Sequence, residues 1–119
     1  MHKVIDKQVI LQFLNIVRKE IKKNNFVIEK RKAIDICPMI VDYRCALLDL
    51  SVTINDVKQI ICKLEVEECI DISSDMDTSR DYNSEVFEFI TYVNGIKTYI
   101  KLTMNDKFVV CISFHRSKK

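Results

Sequence analysis

"FEFITYVNGIKTYIKLTMNDKFVVCISFHRSKK", residues 87–119, is the stretch on which the fold turns. Asn94-Gly95 sits between two runs of alternating apolar residues. That is the strongest short-range hairpin signal, because a type I′ turn needs positive φ at both central positions. The turn pairs Val93 with Ile96, Ile90 with Tyr99, and Glu88 with Lys101. Strand alternation then sorts the side chains. Phe87, Phe89, Val93, Ile96, Ile100, Leu102 and Met104 share one face. Glu88, Tyr92, Lys97, Tyr99, Lys101 and Thr103 share the other.

A second turn follows near Asn105. A two-residue loop at Asn105-Asp106 puts Val110, Ile112 and Phe114 on the polar face. A three-residue loop, Asn105 to Lys107, puts them on the apolar face beside Ile100 and Leu102. A slip of one residue flips every side chain, so burial selects the three-residue loop. Ser113 is then expected opposite Tyr99, and His115 opposite Lys97. The stretch becomes a three-stranded meander with one apolar face and one wet face.

Upstream the period changes. Ile5, Val9, Ile10, Phe13, Leu14, Val17 and Ile21 recur at helical spacing, which predicts a helix over 5–23 that ends at "KKNN". "FVIEK", 26–30, is β-branched and aromatic and predicts a short strand. Pro38 stands at a first helical position, so 38–50 is expected to be a second helix. Thr53 with Asp56 three residues on is a helix-start signal, and Val57, Ile60, Ile61 and Leu64 bury one face of a third helix. "SSDMDTSRDYNSE", 73–85, has no periodicity and is expected to be a mobile loop. No repeat or linker divides the chain, so one domain over 1–119 is expected.

The bulk numbers agree with that picture. A chain of 119 residues, 48% hydrophobic and 30% charged, has an ordinary globular balance. No apolar run is long enough to cross a bilayer, and the N-terminus lacks the small-residue cleavage site of a signal peptide. Five Cys without C-x-x-C spacing point to reduced thiols in a cytoplasm rather than disulfides or zinc. The net charge is +2, but residues 1–34 carry +6, residues 35–88 carry −9 and residues 89–119 carry +5. If the basic ends meet in space, they form one positive face suited to phosphate.

The wet face gathers residues with chemistry. Lys101 and Lys97 suit a phosphate and the charge of a phosphorane-like transition state. His115 moves a proton near neutral pH, as donor or acceptor. Glu88, beside Lys101, is a candidate base. Tyr99 stacks on a nucleobase or donates its hydroxyl. Tyr92 and Arg116 are further candidate RNA contacts. No acidic cluster suggests a metal and no Gly-rich loop suggests a nucleotide, so no cofactor is expected. The set suits metal-free RNA cleavage in which the substrate's 2′-hydroxyl attacks the adjacent phosphorus. Each residue also has a plain structural reading. Glu88–Lys101 is simply a cross-strand ion pair, Tyr99 covers the sheet, and His115 is surface near the chain end.

"ALLDLSVTINDVKQIICKL" (46–64), "VFEFITYVNGIKTYIKL" (86–102) and "VVCISFH" (109–115) resemble, in order and spacing, the MqsR-like toxins of bacterial type II toxin–antitoxin systems. The resemblance covers roughly residues 46 to 115. It implies an α+β domain, with a helical N-terminal half packed on a twisted antiparallel sheet of the RelE-like ribonuclease type. It also implies a messenger-RNA endonuclease held inactive by an antitoxin protein. Tyr99 matches the family's strand tyrosine, Lys101 the lysine two positions on, Glu88 a polar strand residue, and His115 the closing Lys-or-His position. The roles expected are Lys101 and Lys97 on the phosphate, His115 as acid, Glu88 as base, and Tyr99 on the base or leaving group. Acid and base are interchangeable at this stage. The alternative is a non-enzymatic RNA- or protein-binding module of the same fold, which the acidic middle and the low net charge favour.

Overall fold

The computed structural model describes residues 6–29, 43–74 and 85–117. Helix α1, Lys7–Lys22, starts where Asp6 Oδ1 accepts the Gln8 backbone N–H at 2.9 Å, satisfying one orphan donor. It buries Ile10, Phe13, Leu14, Val17 and Ile21, as their spacing predicts. It ends at Lys23, and Asn24 turns the chain at φ 66°. Strand β1, Phe26–Ile28, follows. Helix α2 covers Tyr43–Leu50; Pro38 and the predicted first turn of this helix lie outside the described residues. Helix α3, Ile54–Cys62, opens on a full capping box: Thr53 Oγ1 accepts from Asp56 N at 3.2 Å, and Asp56 Oδ2 accepts from Thr53 N at 2.9 Å.

Four more strands complete the sheet: β2 Cys69–Ser74, β3 Glu85–Val93, β4 Ile96–Asn105 and β5 Phe108–Arg116. Their order is β1-β5-β4-β3-β2. The β2 strand lies in a region where no strand was predicted. Most of the predicted 73–85 loop lies outside the described residues, but Ser73, Ser74 and Glu85 belong to strands. The sheet is also mixed, not wholly antiparallel. β1 pairs in parallel with β5, Val27 opposite Val110.

The first hairpin is as predicted. Val93 pairs with Ile96, Ile90 with Tyr99 and Glu88 with Lys101, with Asn94 and Gly95 at φ 51° and 78°. The second differs. Asp106-Lys107 form a two-residue turn between paired Asn105 and Phe108, with Asp106 at φ 56°. The shift of register expected in the loop occurs inside β5 instead. Leu102 faces Cys111 while Lys101 faces Ser113, leaving Ile112 as the extra residue of a bulge. Before the bulge, Val109 and Cys111 join the main core; after it, Phe114 does. Val110 and Ile112 are buried, but in a separate cluster with Val86 rather than beside Ile100 and Leu102. Thr103 is fully buried too, its hydroxyl donating to Glu85 O at 2.9 Å. His115 consequently faces Tyr99 and not Lys97, and Ser113 faces Lys101 and not Tyr99.

One cluster joins the buried sides of α1, α2 and α3 to Phe87, Phe89, Ile100, Leu102, Cys111 and Phe114. The helices therefore pack on one sheet face. Phe13 of α1 stacks on Phe87 of β3 at 3.8 Å and 11° between planes. Arg18 of α1 donates to two carbonyls at the end of α3, Cys62 O and Leu64 O, at 3.0 Å each. These are orphan acceptors of a helix C-terminus, and a guanidinium suits them in charge and number. No helix among the described residues is long and apolar enough to cross a membrane.

Cys62, Cys69 and Cys111 are free thiols. Cys111 is wholly buried in the core, and burial pushes its thiol from the ordinary 9.0 up to about 12. A labelling experiment checks this. Without reductant, the denatured chain should take up five equivalents of a thiol reagent, one for each Cys. In the native protein Cys111 should react last, since the thiolate is the nucleophile and its formation is suppressed. A denatured count of three or fewer would reveal a disulfide. The raised value also gives a sign. The neutral thiol contributes its full stabilisation below pH 9.0, and that contribution is lost as pH rises from there through about 12.

Candidate functional site

The bulge in β5 organises the sheet face opposite the helices. It turns His115 beside Tyr99, and their ring centroids lie 5.3 Å apart at 35°. Tyr99 in turn donates its hydroxyl to Glu88 Oε1. Glu88, Tyr99 and His115 therefore form one contact chain across β3, β4 and β5. Sequence register alone predicts a Glu88–Lys101 ion pair, since the two are directly opposite. The carboxylate instead takes the diagonal partner, Tyr99, and Lys101 makes no ion pair among the described residues.

His115 has a defined tautomer. Its Nδ1 lies 2.9 Å from Arg116 O. A carbonyl oxygen only accepts, so Nδ1 carries a proton and donates it there. Nε2 remains the nitrogen that can accept a proton when the ring is neutral and donate one when it is charged. Arg116 is itself fixed. Its Nε and Nη2 donate to Asp49 Oδ2 and Oδ1 at 3.1 Å each, tying the end of β5 to α2. Those hydrogen bonds, then the carboxylate's charge, raise the guanidinium above its ordinary value.

Around this chain lies an open cavity of about 450 Å³. Glu88, Lys97, Tyr99 and His115 line it, together with Ile70, Ile90 and Ser117. Four of the seven candidate residues from sequence thus meet in one place. Lys101 stands next to them, opposite both Glu88 and Ser113, but outside that lining. Tyr92, 69% exposed, lines a different and smaller cavity. Arg116 lies outside both cavities and pairs its guanidinium with Asp49.

Sequence reading missed Ile70 and the strand that carries it. The signal was there: Ile70 and Ile72 alternate with polar residues in "CIDIS", a period of two. It also missed Asp71, the register partner of Glu88, which adds a second carboxylate to this row. Burial raises the thiol of nearby Cys69 first, and the charges of Asp71 and Glu88 raise it further against a bond to the Asp71 carbonyl. Among the described residues, no group of three or more His, Cys, Asp or Glu is placed to hold a metal ion.

The described residues define an α+β domain whose polar sheet face carries a carboxylate, a phenol, an imidazole and an ammonium around one open cavity. No family model matches the chain, and no curated protein and no solved structure matches it. Function is therefore argued from the site.

Proposed function

We propose that this chain is a RelE/MqsR-like toxin of a type II toxin–antitoxin system, a cytoplasmic messenger-RNA endoribonuclease that needs no metal and is held inactive by a cognate antitoxin protein. The observation that carries the reading is the Glu88–Tyr99–His115 contact chain, lying in a cavity that Lys97 also lines. Two of the three sequence segments that resemble the family, 86–102 and 109–115, run through these same strands, and the third, 46–64, covers α3 and the end of α2.

In this reading a single-stranded RNA lies across the cavity. Glu88, oriented by the Tyr99 hydroxyl, takes the proton of the 2′-hydroxyl as its oxygen bonds to phosphorus. The bond from phosphorus to the 5′-oxygen breaks, and a charged His115 gives that oxygen its Nε2 proton. Lys97 and Lys101 stabilise the negative charge that builds on phosphorus. The products are a 2′,3′-cyclic phosphate and a 5′-hydroxyl, with no water consumed. Tyr99, placed on the base or the leaving group from sequence, acts here through Glu88.

The test is direct. Purified protein should cut single-stranded RNA in EDTA, leave a 2′,3′-cyclic phosphate, and bind but not cut DNA of the same sequence, which lacks the attacking hydroxyl. Expression without antitoxin should arrest growth. RNA binding with no cleavage of any RNA, and undiminished growth, would move the assignment to a non-enzymatic RNA-binding module.

A further inference from the structure

Two residues lining the larger cavity, Ile70 and Ile90, have aliphatic side chains with no polar group. Ile90 is there by register. It lies opposite Tyr99, and Tyr99 lies opposite His115, so the three form one row across β3, β4 and β5. Ile70 is there by a bulge. Cys69 faces Phe89 and Asp71 faces Glu88, which are neighbours on β3, so Ile70 is an extra residue in β2. Ile70 lines the cavity while Cys69 packs against the main core, and it remains 45% exposed. The cavity thus runs from an aliphatic end on β2 and β3 to an imidazole on β5. A phosphodiester backbone has no apolar surface to cover that aliphatic end. The face of a nucleobase does.

The chemistry selects which nucleotide lies there. In attack by the 2′-hydroxyl, the proton acceptor touches the ribose before the cut and the proton donor touches the oxygen after it. Glu88 stands on β3 and His115 on β5, with Lys97 and Tyr99 of β4 between them. Adjacent strands are about 5 Å apart, so the two groups approach a phosphate over β4 from opposite sides. The nucleotide before the cut then lies over β3 and β2. Ile90 follows Glu88 on that side of the sheet, and Ile70 adjoins Asp71, the partner of Glu88.

We infer, on the reading of this face as a ribonuclease site, that Ile70 and Ile90 seat the base of the nucleotide whose 2′-hydroxyl attacks, and that the RNA crosses the sheet with its 5′ side over β2 and its 3′ side over β5. The base lies face-down on the two aliphatic side chains. Neither offers a donor or an acceptor, so the seat senses the area of the base and not its edge. Purines are preferred to pyrimidines there, and adenine and guanine are treated alike.

The experiment uses the full chain and short DNA oligonucleotides that carry a single ribonucleotide, which fixes the one place where cleavage can occur. That ribonucleotide bears adenine, guanine, cytosine, uracil or no base. Rates are measured under single turnover below saturation, and affinities with the all-DNA counterparts. The purine chimeras should be cut fastest, with adenine and guanine within about 4-fold of each other, the worth of one methylene taken from water. Loss of the base should slow cleavage about 10-fold or more, the worth of covering an aromatic-sized group. Ile70→Ala should shrink that base-to-abasic ratio about 4-fold or more, since it strips carbons from the seat. Ile70→Leu, which keeps the apolar volume, should retain most of it. A merely structural role would slow every chimera by the same factor, the abasic one included. Equal cutting of purine and abasic chimeras by the wild type, or an Ile70→Ala loss that ignores the base, would overturn the seat and leave the nuclease standing. If the wild type cuts no chimera, the nuclease reading falls and the affinities judge the seat. Tighter binding of base-bearing than of abasic DNA, abolished in Ile70→Ala, keeps it; equal binding removes it.

Discussion

His115→Ala should lower the rate of RNA cleavage by about 10²- to 10⁴-fold, the worth of one positioned proton-transfer group. The Arg116 carbonyl holds Nδ1–H, so the ring presents one nitrogen, Nε2, to a bound phosphodiester. The ring is also seated against Tyr99, whose hydroxyl reaches Glu88. Removing the imidazole takes away the proton for the 5′-oxygen and leaves the rest of the constellation in place. Because His115 is only partly buried, the fold should survive, and an unchanged thermal midpoint confirms that. Lys101→Ala should cost about 10²- to 10³-fold through lost charge stabilisation, although it lies outside the cavity lining. Single-turnover rates at saturating RNA separate these chemical effects from binding. Full activity in His115→Ala would remove its assigned role and with it the proposed division of acid and base.

Much of this site was legible in the sequence, and the part that was not has a physical cause. Asn94-Gly95 set the first hairpin because few dipeptides tolerate two positive φ angles, so Glu88, Tyr99 and Lys101 landed on one face as predicted. The helices were legible because one-sided burial leaves a period, as at Ile10, Phe13, Leu14 and Val17. The bulge at Ile112 was not. Apolar residues occupy every position from 108 to 112, so alternation cannot say which of them face the main core. The structure resolves the ambiguity by burying both sets, Val109 and Cys111 on one side, Val110 and Ile112 on the other. His115 gained its tyrosine neighbour through that same bulge. The parallel pairing of β1 with β5 was also beyond reach, because it joins Phe26 to Val109 across most of the chain without a turn to announce it. The choice of Tyr99 over Lys101 by Glu88 is of the same kind. Direct and diagonal neighbours are both within reach on a strand pair, and register alone does not choose.

Phe89→Ala should destabilise the fold by about 3–5 kcal/mol, the range for deleting a buried aromatic ring from a packed core. Phe89 is 0% exposed and sits in the inner strand β3, between β4 and β2. Its register partners are Ile100, also 0% exposed, and Cys69. Phe87, two residues away on the same face, is already stacked on Phe13 of α1, so it has no freedom to fill the void. A domain of this size is stable by about 5–15 kcal/mol, so the loss is a large fraction of the total. Urea unfolding should show a lower midpoint with an unchanged slope, since the surface exposed on unfolding hardly differs. Phe89→Leu, nearer in volume, should lose markedly less. Glu88 is the next residue along β3, and its carboxylate depends on the strand staying in register to meet Tyr99. Under conditions where Phe89→Ala is still folded, its activity should therefore fall less than in His115→Ala; a stability loss below about 1 kcal/mol would show that the core relaxes around the missing ring and that β3 is not its anchor.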